Sequence, residues 1–183
     1  MENKKNHSQF TTKKLSRLAL LGALGSIAVV LEFPLIPIVP FLKYDAGDIP
    51  ILVGALAYGP VAGFLLTVVI SFMQSFVIHG SGGIYGFLMH VIATGLMALV
   101  VGGINKHFKQ KLSLIASLTL GSITMVIGMI FCNLIITPLY LGSPIQEVLA
   151  MLPFIILFNI IKSAVNSVIT YFLYEKELKH RLI

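Results

Sequence analysis

The sequence predicts an all-α integral membrane protein: a bundle of six transmembrane helices, with both termini in the cytoplasm. Three observations carry this expectation. The 183 residues are 57% hydrophobic and only 11% charged, with a mean hydropathy of +0.95. A soluble domain has too little interior to hide that much apolar surface, whereas a bilayer makes the outside apolar as well. The apolar residues also fall into six blocks, and a helix needs roughly 20 of them to cross a hydrocarbon core about 30 Å thick. Finally, of the 13 Lys and Arg residues all but two sort to one side of such a bundle, Lys43 lying in a loop on the other side and Lys162 inside the sixth span.

The elements follow in order. Residues 1–14 form a polar cytoplasmic segment, residues 15–174 one membrane domain, and residues 175–183 a cytoplasmic tail. The first span is expected from Leu15 to Leu31, ended by Glu32 and Pro34. Its basic start resembles a signal peptide, but no small-residue cleavage site follows, so it reads as a retained span. Pro34, Pro37 and Pro40 then make an irregular apolar segment. At membrane depth such backbone is tolerated only against protein or a cavity, which makes this segment a candidate lid.

A short second span is expected over Ile49–Tyr58, with a tight turn at Gly59-Pro60 and a third span over Val61–Ile78. The fourth is expected over Ile84–Ile104, after the glycine-rich loop from His79 to Gly83. The fifth runs over Leu114–Ile136, stopping before Pro138, and the sixth over Leu152–Tyr174. Lys4, Lys5, Lys13, Lys14 and Arg17 gather at the N-terminal end. Lys106, Lys109 and Lys111 lie between spans four and five, and Lys176, Lys179 and Arg181 follow span six. Six spans put all three clusters on one face, the cytoplasmic one by the positive-inside rule. The net charge of +6 is therefore a topology signal and not a nucleic-acid patch. Cys132, the single cysteine, forms no internal disulfide and reads as a small core residue.

Lys162 is the most informative residue. It lies mid-span in Phe158-Asn-Ile-Ile-Lys162, where insertion costs about 2.5–3.5 kcal/mol. Such residues usually face a cavity and mark a function. The six expected spans contain no acidic residue to pair with it. Asn159 and Asn166 share its helical face, and Asn133 lies in span five. Each asparagine alone fits an interhelical hydrogen bond; together with Lys162 they suggest a polar pocket on the outer side. In the first outer loop, Asp48 precedes Ile49-Pro50 and is expected to cap the second helix. Asp45 is read as contacting ligand hydroxyls or as solvated. No His or Cys stands beside these two carboxylates to suggest a metal.

The turn Gly80-Ser-Gly-Gly83 lacks both the lysine of a phosphate loop and the elbow of a serine nucleophile. It reads as a turn, plain or letting backbone approach a ligand. Ala19, Gly22, Ala23 and Ser26 line one face of the first span, a smooth surface suited to internal packing or to a partner helix. An intramembrane enzyme built on His79, His90, Asp45 and Asp48 is a second possibility, and a small assembly or channel subunit using the Ala19–Ser26 face a third. The chain has no ATP-binding motif, so active transport needs energy from a partner or an ion gradient.

Phe33 through Lys43-Tyr-Asp-Ala-Gly-Asp-Ile-Pro50 to Gly59-Pro60, Gly83 through Met89, Phe158-Asn-Ile-Ile-Lys162 and Ala19-x-x-x-Ala23 together resemble one family. It is the substrate-binding S-component of energy-coupling-factor (ECF) vitamin transporters, of the riboflavin-specific kind. The resemblance covers nearly the whole chain. It implies a multi-pass cell-membrane protein with riboflavin as transported ligand, no cofactor and no catalysis. It also implies assembly with a transmembrane coupling protein and two ATPases. Riboflavin is expected near the outer face, under the loop after the first helix. The expected ligand contacts are Leu42, Tyr44, Asp45, Gly80, Gly82, Gly83, Asn133, Asn159, Lys162 and Asn166, and the coupling protein is expected on the face of Ala19, Gly22, Ala23 and Ser26. His90 stands where the family pattern suggests asparagine, and Ser163 where it suggests glycine, which leaves flavin mononucleotide or another vitamin as alternatives. Thiamine fits less well, because its binders use tryptophan and this chain has none.

Overall fold

The structure, a computed structural model, describes residues 12–79, 82–107 and 111–178. Six helices form: α1 (Thr12–Ala28), α2 (Asp48–Tyr58), α3 (Pro60–Phe72), α4 (Gly83–His107), α5 (Lys111–Leu141) and α6 (Ile145–Leu173). α3 and α6 each run on into a π-helical turn, Met73–Ile78 and Tyr174–Leu178. Four of these helical stretches are long and apolar enough to cross a membrane: Pro60–Ile78, Gly83–His107, Ser113–Leu141 and Ile145–Lys176. This is a multi-pass membrane architecture.

The two remaining helices are shorter, as was expected of the second. α1 has 17 residues, or about 26 Å of rise, and its first turns are basic. α2 has 11 residues and rises only about 16 Å, roughly half the hydrocarbon core. It is also buried on all sides from Ile51 through Leu56, so it faces protein and not lipid. α2 packs on α1, α3, α4 and α6 at once, a short central plug around which the long helices stand. A helix that ends inside a bundle must have its last carbonyls satisfied there. Asn105 Nδ2 and the Tyr174 hydroxyl both donate to the Leu56 carbonyl, at 2.9 and 3.2 Å, and Lys14 Nζ lies 3.4 Å from that of Tyr58.

The turn from α2 to α3 is made by Gly59, whose φ of 92° and ψ of 175° lie in a region nearly exclusive to glycine. Gly102 of α4 lets that turn sit against it: a Cβ there would fall 2.6 Å from the Pro60 nitrogen and 2.9 Å from the Ala55 carbonyl. Two expected helix bounds fail, one of them set by a proline. α5 does not stop before Pro138 but continues to Leu141, and α6 begins at Ile145, with Pro153 inside it. Proline removes one helical hydrogen bond, but in lipid the alternative is open backbone with no water to bond, so the helix persists through it. Val148 and Ile155, on the early turns of α6, also pack into a buried cluster that rewards the extra length.

That cluster contains the irregular segment expected as a lid. Val39 and Leu42 pack against Val148, Ile155 and Phe158 of α6, with Ile36, Phe41 and Tyr44 around them. The ends of the segment pair as two short antiparallel strands, β1 (Phe33–Pro34) and β2 (Lys43–Tyr44), which had not been expected. Phe33 faces Tyr44 in register, with ring centroids 5.5 Å apart, so the proline-rich stretch forms a closed strap. Cys132 is buried, as its apolar setting suggested.

Candidate functional site

Beneath the strap lies a cavity of about 160 Å³, open on one side and walled by the strap, α3 with its π-turn, α4, α5 and α6. Its apolar lining includes Phe41, Leu42, Met89, Met129 and Phe158, with Tyr85 and Tyr140 ring edge to ring face at 6.0 Å. Its polar lining is uneven, with a charged corner at Asp45 and Lys162 and a rim at Glu32, Lys43 and His79.

The corner is where the structure departs most from the sequence reading. Lys162 does have acidic partners: its Nζ lies 2.8 Å from Asp45 Oδ2 and 3.8 Å from Asp48 Oδ2. Both carboxylates come from outside the expected spans and are carried into the bundle by the strap and by α2. Asp45, expected to be solvated or on a ligand, is almost fully buried, and Asp48 is completely so. Asp48 is not a helix cap. It is the first residue of α2, whose capping position is Gly47 and has no side-chain cap. Its carboxylate instead accepts from Asn166 Nδ2 at 3.1 Å and from the Thr94 hydroxyl at 3.3 Å. Asp45 accepts from the Gly47 N–H at 2.9 Å and from Gln74 Nε2 at 3.3 Å. The Tyr44 hydroxyl donates to Asn166 Oδ1 at 2.9 Å, which ties the strap to α6. Burial first, then the neighbouring Asp45 carboxylate, pushes the Tyr44 phenol above its ordinary pKa.

Burying charge is tolerated only when it is paired and its remaining hydrogen-bonding capacity is met. Here the two carboxylates are met from α3, α4 and α6. A lysine ammonium has three donors. Asp45 takes one, and Asp48 at 3.8 Å lies beyond hydrogen-bond length, so Lys162, which lines the cavity, keeps donor capacity there.

The other predicted residues divide. Leu42, Asp45, Gly82 and Lys162 line the cavity, while Tyr44 and Asn166 stand behind it as supports of the ion cluster. Asn133 and Asn159 are buried and donate to carbonyls of their own helices, Met129 and Ile155, each at 2.8 Å. Asn133 Oδ1 accepts from the Thr137 hydroxyl at 2.9 Å, whereas Asn159 Oδ1 has no partner. Gly83 has a φ of 46° and opens α4 without lining the cavity. Gly80 and Ser81 lie outside the described residues, as do the basic residues Lys4, Lys5, Lys109, Lys179 and Arg181.

Sequence reasoning missed Glu32 and Gln74 as site residues, and it singled out His90 only for the enzyme alternative and as a departure from the family pattern. Glu32 meets Lys43 Nζ at 2.5 Å and lies 3.4 Å from His79 Nδ1, while His79 Nε2 donates to the Val29 carbonyl at 2.7 Å. A polar residue at the end of an apolar run was the available signal for Glu32, and an amide inside the expected third span the signal for Gln74. His90 Nδ1 is 2.6 Å from the Ser71 hydroxyl, and its Nε2 is 3.1 Å from Asp48 Oδ1 but off the N–H direction. Ser71, His90 and Asp48 thus occur in the order of a hydrolytic triad. Ser71 is completely buried and does not line the cavity, so no substrate carbonyl reaches its hydroxyl.

On α1, Ala19 and Ala23 are exposed, and the Ser26 hydroxyl bonds back to the Gly22 carbonyl at 2.9 Å. Gly22 departs from the expected outer face: it is buried toward Leu66 and Val69 of α3. The inner face of α1 is Leu18, Gly22 and Gly25, continued by Val29 just past its end.

A bundle of long apolar helices around a partly charged cavity that opens on one side defines a membrane protein that captures a small molecule. The comparisons give the family. Residues 13–174 match the model of the ECF transporter, substrate-specific component, and the chain belongs to that family. It is a transporter component and not an enzyme. The chain is 30% identical over 174 residues to the riboflavin transporter FmnP of Bacillus subtilis, covering 90% of this chain and 91% of that one. It is 26% identical over 183 residues to the riboflavin transporter RibU of Staphylococcus aureus, covering 96% of each. The fold matches a solved S component of a bacterial ECF transporter with a TM-score of 0.79 and 26% identity, over 92% of this chain and 96% of that one.

Proposed function

We propose that this chain is the riboflavin-binding subunit of an ATP-driven vitamin importer, and that riboflavin sits in the cavity under the strap. The observation that carries the reading is the pairing of aromatic and aliphatic walls with one buried ammonium corner. Flavin is flat and apolar on its ring faces and polar along one edge. Rings such as Phe41, Tyr85 and Phe158 suit the faces, and the spare donors of Lys162 suit an edge carbonyl or nitrogen. The rim favours the uncharged vitamin over its phosphate ester: Lys43 is already held by Glu32.

The cavity of about 160 Å³ is smaller than the usual small-molecule site of about 300–1,000 Å³. Riboflavin therefore enters with the strap displaced outward, a movement opposed by a two-residue ladder and a few side-chain bonds. In this reading the three basic clusters place both termini in the cytoplasm of a cell-membrane protein, all six helices enter or cross the bilayer, and the cavity opens outward. The exposed Ala19 and Ala23 face receives the transmembrane coupling protein, which carries two ATPase subunits.

The test is the visible absorption spectrum of the detergent-purified chain, with released ligand identified by mass. A yellow protein carrying one riboflavin per chain is expected. A colourless protein that also fails to quench riboflavin fluorescence would remove the assignment and leave the fold intact.

A further inference from the structure

A second opening lies on the outside of the bundle, away from the strap. It is a furrow of about 640 Å³ between the first half of α5, from Ile115 to Ile127, and the second half of α6, from Ile160 to Phe172. Its walls are almost wholly apolar. The hydroxyls on its floor are spent within the protein: Ser122 and Ser167 bond each other at 2.9 Å, and Ser163 donates to the Ile160 carbonyl at 3.2 Å. The furrow therefore offers an occupant dispersion contacts and no free polar group from these serines.

Its length and its end say what the occupant is. From the first to the last lining residue, each wall rises about 18 Å. One leaflet is half of a hydrocarbon core about 30 Å thick, so the furrow runs about one acyl chain deep. It starts at the basic end of the bundle, where α4 finishes in Lys106 and His107. Lys176, one turn beyond Phe172, is exposed and holds its Nζ 5.6 Å from the centroid of that furrow-lining ring. The Ser122–Ser167 contact brings the two helices together at the floor of the furrow. We infer that this furrow is a binding site for one anionic phospholipid, with an acyl chain between α5 and α6 and its phosphate beside Lys176. Such a site fastens the subunit to the leaflet on its basic side. It is independent of what the cavity under the strap binds.

Native mass spectrometry of the full chain tests it, with phosphatidylglycerol and phosphatidylcholine of identical acyl chains added separately in detergent. The unmodified protein should retain one phosphatidylglycerol and hold phosphatidylcholine about fivefold less well, the effect of roughly one lysine at the membrane surface. Lys176→Gln should bring the two lipids level, and Ala164→Phe, which fills the furrow from an exposed position, should release both. Val168→Phe serves the same purpose if the first filled variant does not fold, with a thermal melt in the same detergent as the check. Equal retention of both lipids by the unmodified chain, or retention unchanged by a folded filled variant, would overturn the inference. So would a dimer mass that the filled variant dissolves, since a second copy would then cover the furrow.

Discussion

Replacing Lys162 by methionine keeps the length of the side chain and removes its charge. Lys162 is 4% exposed, and the loss of its ammonium leaves Asp45 and Asp48 inside the bundle with no lysine beside them. Breaking a buried pair by deleting one partner costs about 3–5 kcal/mol. Against a total stability of about 5–15 kcal/mol, that is a large fraction. Lys162→Met should therefore destabilise the subunit as well as weaken flavin binding. Asp45→Asn should cost less, because Lys162 keeps Asp48 at 3.8 Å and the amide still accepts from Gly47. The double variant should be better than the sum of the two by about 0.5–3 kcal/mol, the range for residues in contact. Reversible unfolding in mixed micelles, followed by circular dichroism, measures all four corners of the cycle. If the two losses add to within about 0.5 kcal/mol, Lys162 and Asp45 are not coupled and the cluster does not hold the strap to α6.

Three further perturbations separate packing, ligand and assembly. Gly86→Leu projects into the cavity from a position where a Cβ meets only the Ser75 hydroxyl, at 3.7 Å. Riboflavin affinity by fluorescence quenching should fall more than about 100-fold while the thermal midpoint holds or rises, since leucine is the better helix former by nearly 1 kcal/mol. Gly59→Ala has no neighbour to strike, so its cost should be backbone strain alone, about 1–3 kcal/mol in unfolding free energy, with flavin affinity unchanged once folded. Ala23→Trp, on the exposed side of α1, should abolish co-purification with the coupling protein and leave flavin quenching by the isolated subunit intact; a complex that survives would place the partner on another face.

Much of the membrane architecture was legible in the chain because its causes are local. Apolar length, basic clusters and glycine–proline turns each act within a few residues, and they located α3 and α4 closely. The end of α5 was misread because Pro138 was weighed as it is in water, and α6 was begun too late, although its helix runs through Pro153 as well. In lipid the cost of open backbone outweighs the lost bond at Pro138 and Pro153. α2 was placed correctly, but that it is a buried plug follows from its contacts with four other helices.

The site divides along the same line. Its electrostatic partners are 117 residues apart in sequence for Asp45 and Lys162, and 118 for Asp48 and Asn166. A lysine in an apolar span announces that something compensates it, and the sequence alone determined that much. Which carboxylates do so depends on how deeply the strap and α2 sink between α3, α4 and α6. The fates of Asn133 and Asn159 were equally hidden, since an amide in a helix bonds either its own backbone or a neighbour, and only packing decides between them. The sequence determined the solvent, the helices and the presence of a buried charge. The tertiary structure alone decided its partners, because a buried ion chooses among groups that the chain itself keeps far apart.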